Sequence, residues 1–279
     1  MTTPSLTLCA DDYGLAPGVG RAIRALIAAG RLQATGCMTS GPYWATEADL
    51  LKPLAGQADL GLHLTLTDHT PLGALPRLAP EGRFPPLGRL MGLALARRLD
   101  RIEIAAELER QVDAFEAALG RKPDFLDGHH HVHQLPIVRD VVLDLAARRL
   151  GPGGWVRSCW ESPAAIVGRR VDPVRAGVIS LLGIGLRRRL AAAGIPHNRS
   201  FRGVYDLTGR VPYAVLFERF TAAPGAGTLV MCHPGEVDDE LRACERLTDQ
   251  RAVEYAFLAG PEMADSLAAR HLVLGRLPR

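Results

Sequence analysis

The residues that could do chemistry in this chain gather at four places. Asp11 and Asp12 are adjacent, His63 stands in "GLHLTL", the run "DGHHHVH" covers 127–133, and His233 stands in "CHPGE". The run alone packs four of the nine histidines into seven residues. Histidine and aspartate in this mixture point to a divalent metal. One carboxylate and two imidazoles, with positions left open, make a workable catalytic centre for Zn, Mg, Mn, Fe, Co or Ni. All four histidines of the run cannot reach one ion. In an extended chain Asp127, His129, His131 and His133 would share one side and His130 the other. The histidines not used as ligands would orient the ligands or touch substrate.

A site of this kind supports metal-assisted hydrolysis. The ion lowers the pKa of bound water and polarises a carbonyl oxygen. A free aspartate accepts the water's proton, and a histidine across the site protonates the departing atom. His233, ahead of a Pro-Gly turn, is well placed for that acid. Covalent routes are disfavoured, because no G-x-S-x-G occurs and no cysteine has a nucleophile's context. Each residue also has a plainer reading. Paired aspartates cap helices and form turns, a lone histidine in an apolar strand is commonly a satisfied core residue, and a histidine run can be a surface cluster. What argues against the plainer readings is how the elements fall.

Apolar runs and helical patterns alternate along the chain. Strands are expected at 5–10, 34–40, 58–66, 123–128, 154–158 and 227–236, with a strand-like "HLVLGRL" at the end. Helical patterns occupy 18–30, 44–55, 101–119, 136–149, 172–193, 211–222 and 248–268. The helix at 101–119 is the most sharply marked. Asp100 is its cap, Glu103 sits at the capping-box position, and Ala105, Leu108, Val112, Phe115 and Leu119 repeat at helical spacing. Residues 67–90 are rich in Pro and Gly and read as a long loop. About seven parallel strands with outer helices in 279 residues fit an irregular (β/α) barrel, one α/β domain over 1–279. Asp11, Asp12, His63, His129 and His233 all fall at carboxyl ends of strands, the rim on which such folds build their sites.

Composition narrows the class further. The net charge is +3 and the arginines are dispersed, which gives no nucleic-acid footprint. No G-x-G-x-x-G follows a strand, and there is no P-loop. Five cysteines without a C-x-x-C pair indicate no disulfide framework. With no signal-peptide pattern and no apolar run long enough to span a bilayer, a cytoplasmic protein without an integral membrane segment is expected.

Taken in order, "ADDYG" (10–14), "GLHLTLT" (61–67), "GRKPDFLDGHHHVHQLP" (120–136) and "MCHPGE" (231–236) resemble the YdjC-type carbohydrate deacetylases, which include chitooligosaccharide deacetylase and hopanoid-biosynthesis-associated proteins. The resemblance is close over the first 150 residues or so and looser over 150–226, where "SFRGVYD" (200–206) is the best piece. It implies a barrel-like fold and one divalent ion, Mg or Zn foremost, held by Asp12, His63 and His129. It implies Asp11 as general base and, by similarity to the wider class of metal-dependent polysaccharide deacetylases, His233 as acid. His131, His133, Tyr13 (where the family usually has Phe) and Arg202 are then candidates for substrate contact or ligand support. The expected reaction removes an acetyl group from the nitrogen of an amino sugar or glycolipid, and a homodimer is compatible with it. The competing readings are another metal-dependent barrel amidohydrolase, for which His131-Val-His133 would be the ligand pair, and a catalytically inactive sugar- or glycolipid-binding homologue.

Overall fold

The computed structural model describes residues 5–245 and 248–277. The first half runs β1 (Ser5–Tyr13), α1 (Pro17–Ala28), β2 (Ala34–Cys37), α2 (Trp44–Leu51), β3 (Asp59–Leu64), α3 (Leu87–Leu95), α4 (Arg101–Leu119) and β4 (Phe125–Gly128). The second half runs α5 (Val138–Arg149), β5 (Trp155–Val156), α6 (Pro163–Arg169), α7 (Pro173–Ala192), β6 (Ser200–Arg202) and α8 (Tyr213–Phe220). It closes with β7 (Thr228–Cys232), α9 (Asp239–Cys244), α10 (Asp249–Ala259), α11 (Pro261–Ala269) and β8 (Val273–Leu274).

Seven strands form one parallel path in the order β5-β4-β3-β2-β1-β7-β6, and β8 pairs with the start of β1. The sheet curls until its two edges approach. Val156 on β5 bridges to His197, just before β6, and Asn198 completes the seam. Its side chain accepts from the Ser158 N–H and donates to the Ser158 carbonyl, both at 2.7 Å. An amide side chain thus replaces a ladder rung, and the barrel is irregular, as expected.

Strand alternation sorts the core into two bodies. Leu8, Leu126 and Val230 face the helices and pack with Ile23, Leu26, Leu108, Val112 and Phe115. Their neighbours Cys9, Phe125 and Leu229 face inward with Trp155 and Phe201. Phe125 and Trp155 stack there with centroids 4.2 Å apart. The barrel interior is therefore packed solid beneath the rim, which leaves the carboxyl ends of the strands as the place for a site.

Several expectations are corrected. The 67–90 segment is not all loop, since α3 begins at Leu87. The Glu103 carboxylate does not close a capping box; it accepts the N–H groups of Arg77 and Leu78 at 2.9 and 3.0 Å. Asp100 alone caps α4, and Glu103 pins the long segment to that helix. The helix expected at 248–268 is two, broken at Gly260-Pro261, where proline ends the first helix and starts the second. The strand expected to 236 stops at Cys232, two residues before Pro234.

The largest correction concerns the histidine run. It is not extended: residues His129–Gln134 form a tight turn, with His130 and His131 in the left-handed region at φ 53° and 59°. The expected alternation of sides fails there.

Candidate metal centre and active site

β1 delivers two carboxylates to the same rim. The pairing register with β2 shifts between Ala10 and Tyr13, and Asp12 takes φ 69°. This bulge lets both Asp11 and Asp12 line the central cavity, where a regular strand would send them to opposite faces. β3 contributes His63, for which Gly36 on the neighbouring strand leaves space: a Cβ there would stand 2.9 Å from His63 Nδ1. His129 follows β4 directly.

Asp12, His63 and His129 are buried and converge, with one ligand atom from each lying within 4.8 Å of the others. His129 Nδ1 is 2.9 Å and His63 Nε2 is 3.4 Å from Asp12 Oδ1. On its other side His63 Nδ1 meets Asp127 Oδ1 at 2.7 Å. That contact fixes the ring and leaves Nε2 facing Asp12, the arrangement by which a carboxylate supports a ligating histidine. Burial opposes charge on His63, but Asp127 and Asp11 outweigh it and raise the pKa to about 10. Burial likewise works against the Asp12 carboxylate, while Arg251 and His129 hold its pKa well below the usual range. Two imidazoles and one ionised carboxylate facing a common point form a donor set that fits a divalent cation, and a proton on His63 is what the ion would displace.

Asp11 lies deeper. Arg157 donates to both its oxygens, Nη1 at 2.7 Å and Nη2 at 2.5 Å, and Arg157 Nη2 also lies 2.7 Å from Asp127 Oδ2. Arg157 is fully buried, so one guanidinium neutralises two carboxylates in the barrel interior. Burial would raise the Asp11 pKa; Arg157 prevails and holds it well below the ordinary carboxylate range, so the group is ionised at neutral pH.

A cavity of about 530 Å³ opens above these groups. Asp11, Asp12, His63, His129, His131 and His233 all reach it. His233 is steadied through its backbone, whose N–H donates to Glu254 at 2.6 Å, and Tyr205 donates its hydroxyl to the same carboxylate. The outer wall is aliphatic, with Leu87 and Met91 from α3, Leu135, and Ile179 and Leu182 from α7.

Three residues expected to contact substrate or support the ligands do not line the cavity. His133 is buried behind the site and donates Nε2–H to the Arg157 carbonyl at 3.0 Å, so His131 and His133 do not form a ligand pair. Tyr13 lies in the helix-side core, donating to the Glu47 carbonyl at 2.7 Å and accepting from Arg24 at 2.8 Å. Arg202 pairs with Glu161 and donates to the carbonyls of Phe220 and Ala222, away from the cavity. Conversely, sequence reasoning passed over Arg157 and Arg251. Their signals were faint: an arginine inside the apolar "GWVRS", and Arg251 and Glu254 three apart on one helix face.

With this geometry established, comparison with known proteins places the chain. The family of YdjC-like proteins matches residues 5–269. The chain belongs to that family. This YdjC-like chain is 29% identical over 274 residues to a chitooligosaccharide deacetylase of Serratia marcescens, covering 97% of this chain and 96% of the relative. A chitooligosaccharide deacetylase of Yersinia pestis bv. Antiqua (strain Angola) is 29% identical over 273 residues, with the same coverage. Among solved structures, a chain described as a cellobiose-phosphate cleavage protein of Enterococcus faecalis V583 superposes with a TM-score of 0.72 at 20% identity, covering 99% of this chain and 98% of that one. That likeness establishes a shared fold over 99% of this chain. No helix among the described residues is long and apolar enough to cross a membrane.

Proposed function

We propose that this YdjC-like protein is a metal-dependent deacetylase that hydrolyses the N-acetyl group of an amino sugar or glycolipid. The observation that carries the reading is the convergence of Asp12, His63 and His129 at the floor of a cavity that Asp11 and His233 also line. Relatives of nearly the same length bear the name chitooligosaccharide deacetylase, which supports the acetylated amino sugar as substrate class. The aliphatic wall supports a substrate with an apolar portion, as a glycolipid has.

In this reading Asp12, His63 and His129 hold one divalent ion, Mg or Zn. The ion, when bound, supplies an acidified water and polarises the acetamido carbonyl. Asp11 takes the proton of the attacking water. Arg157 keeps it ionised at neutral pH and holds both its oxygens in place, so the position is occupied by a carboxylate and not by an acid. His233 gives a proton to the departing amine, with Glu254 fixing the backbone that carries it. We assign His131 to the sugar, because it lines the cavity and its Nδ1 has no partner among the described residues. The five cysteines are free thiols, in keeping with a reducing compartment, and we assign the reaction to the cytoplasm.

The test is acetate release from a panel of N-acetylated sugars, with and without a chelator. Turnover should vanish on chelation and return with added metal. Asp11→Asn should abolish turnover and keep the metal. Full activity in that variant, or activity indifferent to chelation, sinks the reading.

A further inference from the structure

Arg251 comes from α10, outside every motif that marks the site, yet it lines the cavity and is only 5% exposed. Its backbone is tied to the turn that follows His233, since the Gly235 N–H donates to the Arg251 carbonyl at 3.1 Å. Its guanidinium is used on one side only. Nη2 donates to Asp12 Oδ2 at 2.7 Å and lies 3.4 Å from Glu245 Oε2. Nη1 is buried and has no acceptor among the described residues.

The two halves of this arrangement have different consequences. By engaging Oδ2, Arg251 leaves Asp12 Oδ1 to face His129 and His63. The other half is a buried cationic N–H with nothing to bond. Leaving such a donor unsatisfied is costly, and a charge-assisted bond to an arriving oxygen relieves it. The other arginines near the cavity do not offer this. Arg157 is committed to Asp11 and Asp127 beneath the floor, and Arg175 is exposed at the edge. Because the guanidinium is rigid and planar, the bond from Nη2 to Asp12 fixes where Nη1 sits in the cavity wall.

We propose that Arg251 is a catalytic residue of this site, donating Nη1–H to the acyl oxygen of the substrate and to the acetate product while Nη2 steadies Asp12. This rests on the deacetylase reading for the identity of the acyl group. The contact strengthens as negative charge builds on that oxygen, so it acts on the rate more than on substrate capture.

The experiment uses the full chain loaded with zinc and acetate as the probe, followed by calorimetry, beside Arg251→Met and Arg251→Lys. The parent should bind acetate. Arg251→Met should keep one zinc per chain and lose acetate affinity by about 10- to 100-fold, the worth of one charge-assisted hydrogen bond. The same variant should lose kcat more than KM rises, and Arg251→Lys should recover part of both. Should Arg251→Met not fold, Arg251→Lys carries the test, with intermediate acetate affinity expected at full zinc content. Unchanged acetate affinity in either variant, loss of zinc together with acetate, or a parent that does not bind acetate overturns the proposal. A parent that binds acetate through Arg251 but frees none from any N-acetylated sugar leaves the contact standing and removes the deacetylase reading.

Discussion

His63 Nδ1 lies 2.7 Å from Asp127 Oδ1, and this contact turns the opposite ring nitrogen towards Asp12. Asp127 itself reaches no open space; it is fully buried and shares its second oxygen with Arg157. In the proposed metal centre it would support His63 without being a ligand itself. Asp127→Asn keeps the shape but removes the charge that orients and charges His63. Removing such a supporting carboxylate weakens metal binding by about 10- to 100-fold. Calorimetric titration of the chelator-stripped variant with zinc should give that loss, and a dissociation constant equal to the parent's would refute the supporting role.

The floor of the site stands or falls with Arg157. It is the shared partner of Asp11 and Asp127, all three fully or almost fully buried. Arg157→Met would strand two carboxylates in the barrel interior. Breaking a buried ion pair by deleting one partner costs about 3–5 kcal/mol, and the Asp11 pKa would rise once its cation is gone. Urea unfolding at pH 7 should show a loss of that order. A midpoint within experimental error of the parent's would mean the cluster is neutralised in some other way.

How much of this was legible beforehand follows from what each residue answers to. The strand ends are readable because apolar runs end where polar residues begin, so pattern alone puts Asp11, Asp12, His63, His129 and His233 on one rim. The side-chain directions were not readable. Asp12 reaches the cavity through a bulge with φ 69°, and the histidine run bends through two left-handed residues. Neither distortion has a local signal, because each is held by long-range contacts such as Asp12 with His129 and Arg251. Glu103 shows the same limit: its position predicts a capping box, but unsatisfied N–H groups from Arg77 and Leu78 compete for it and win. Arg157 and Arg251 escaped for a related reason, since an arginine's role is set by the carboxylates that the fold brings to it.

Under the proposed function, the aliphatic wall predicts a preference among substrates. Leu87, Met91, Ile179 and Leu182 would cover an apolar aglycone, and each methylene buried contributes about 0.8 kcal/mol. The octyl β-glycoside of N-acetylglucosamine should therefore be deacetylated with a kcat/KM about tenfold or more above that of the free sugar. Leu182→Asn should erase most of the difference and leave the free sugar's value nearly unchanged. Equal rates on both substrates in the parent would show that the wall does not touch the aglycone.

Acid stability should report His133. Its Nε2–H donates to the Arg157 carbonyl, and its buried Nδ1 has no partner among the described residues. Adding a proton would thus create a second donor with nothing to bond. Burial, aided by Arg157, pushes the pKa down from 6.5 to about 4 against the pull of Asp127. The sign follows from proton linkage: between those two values the unfolded chain takes up a proton that the native chain refuses. This contribution is therefore intact above pH 6.5 and is lost as pH falls towards 4, by about 3 kcal/mol in all. His63, with its pKa raised to about 10, does not confuse this window, because it is protonated in both states below pH 6.5 and its contribution changes only between 6.5 and 10. His69 and His130 also have lowered pKa values, so the comparison must be made against a variant. His133→Gln preserves a donor towards the Arg157 carbonyl and cannot titrate. Urea unfolding of chelated protein at pH 7 and pH 5 should show a smaller loss for His133→Gln than for the parent. Equal losses would mean that His133 takes up its proton at the same pH whether the chain is folded or not.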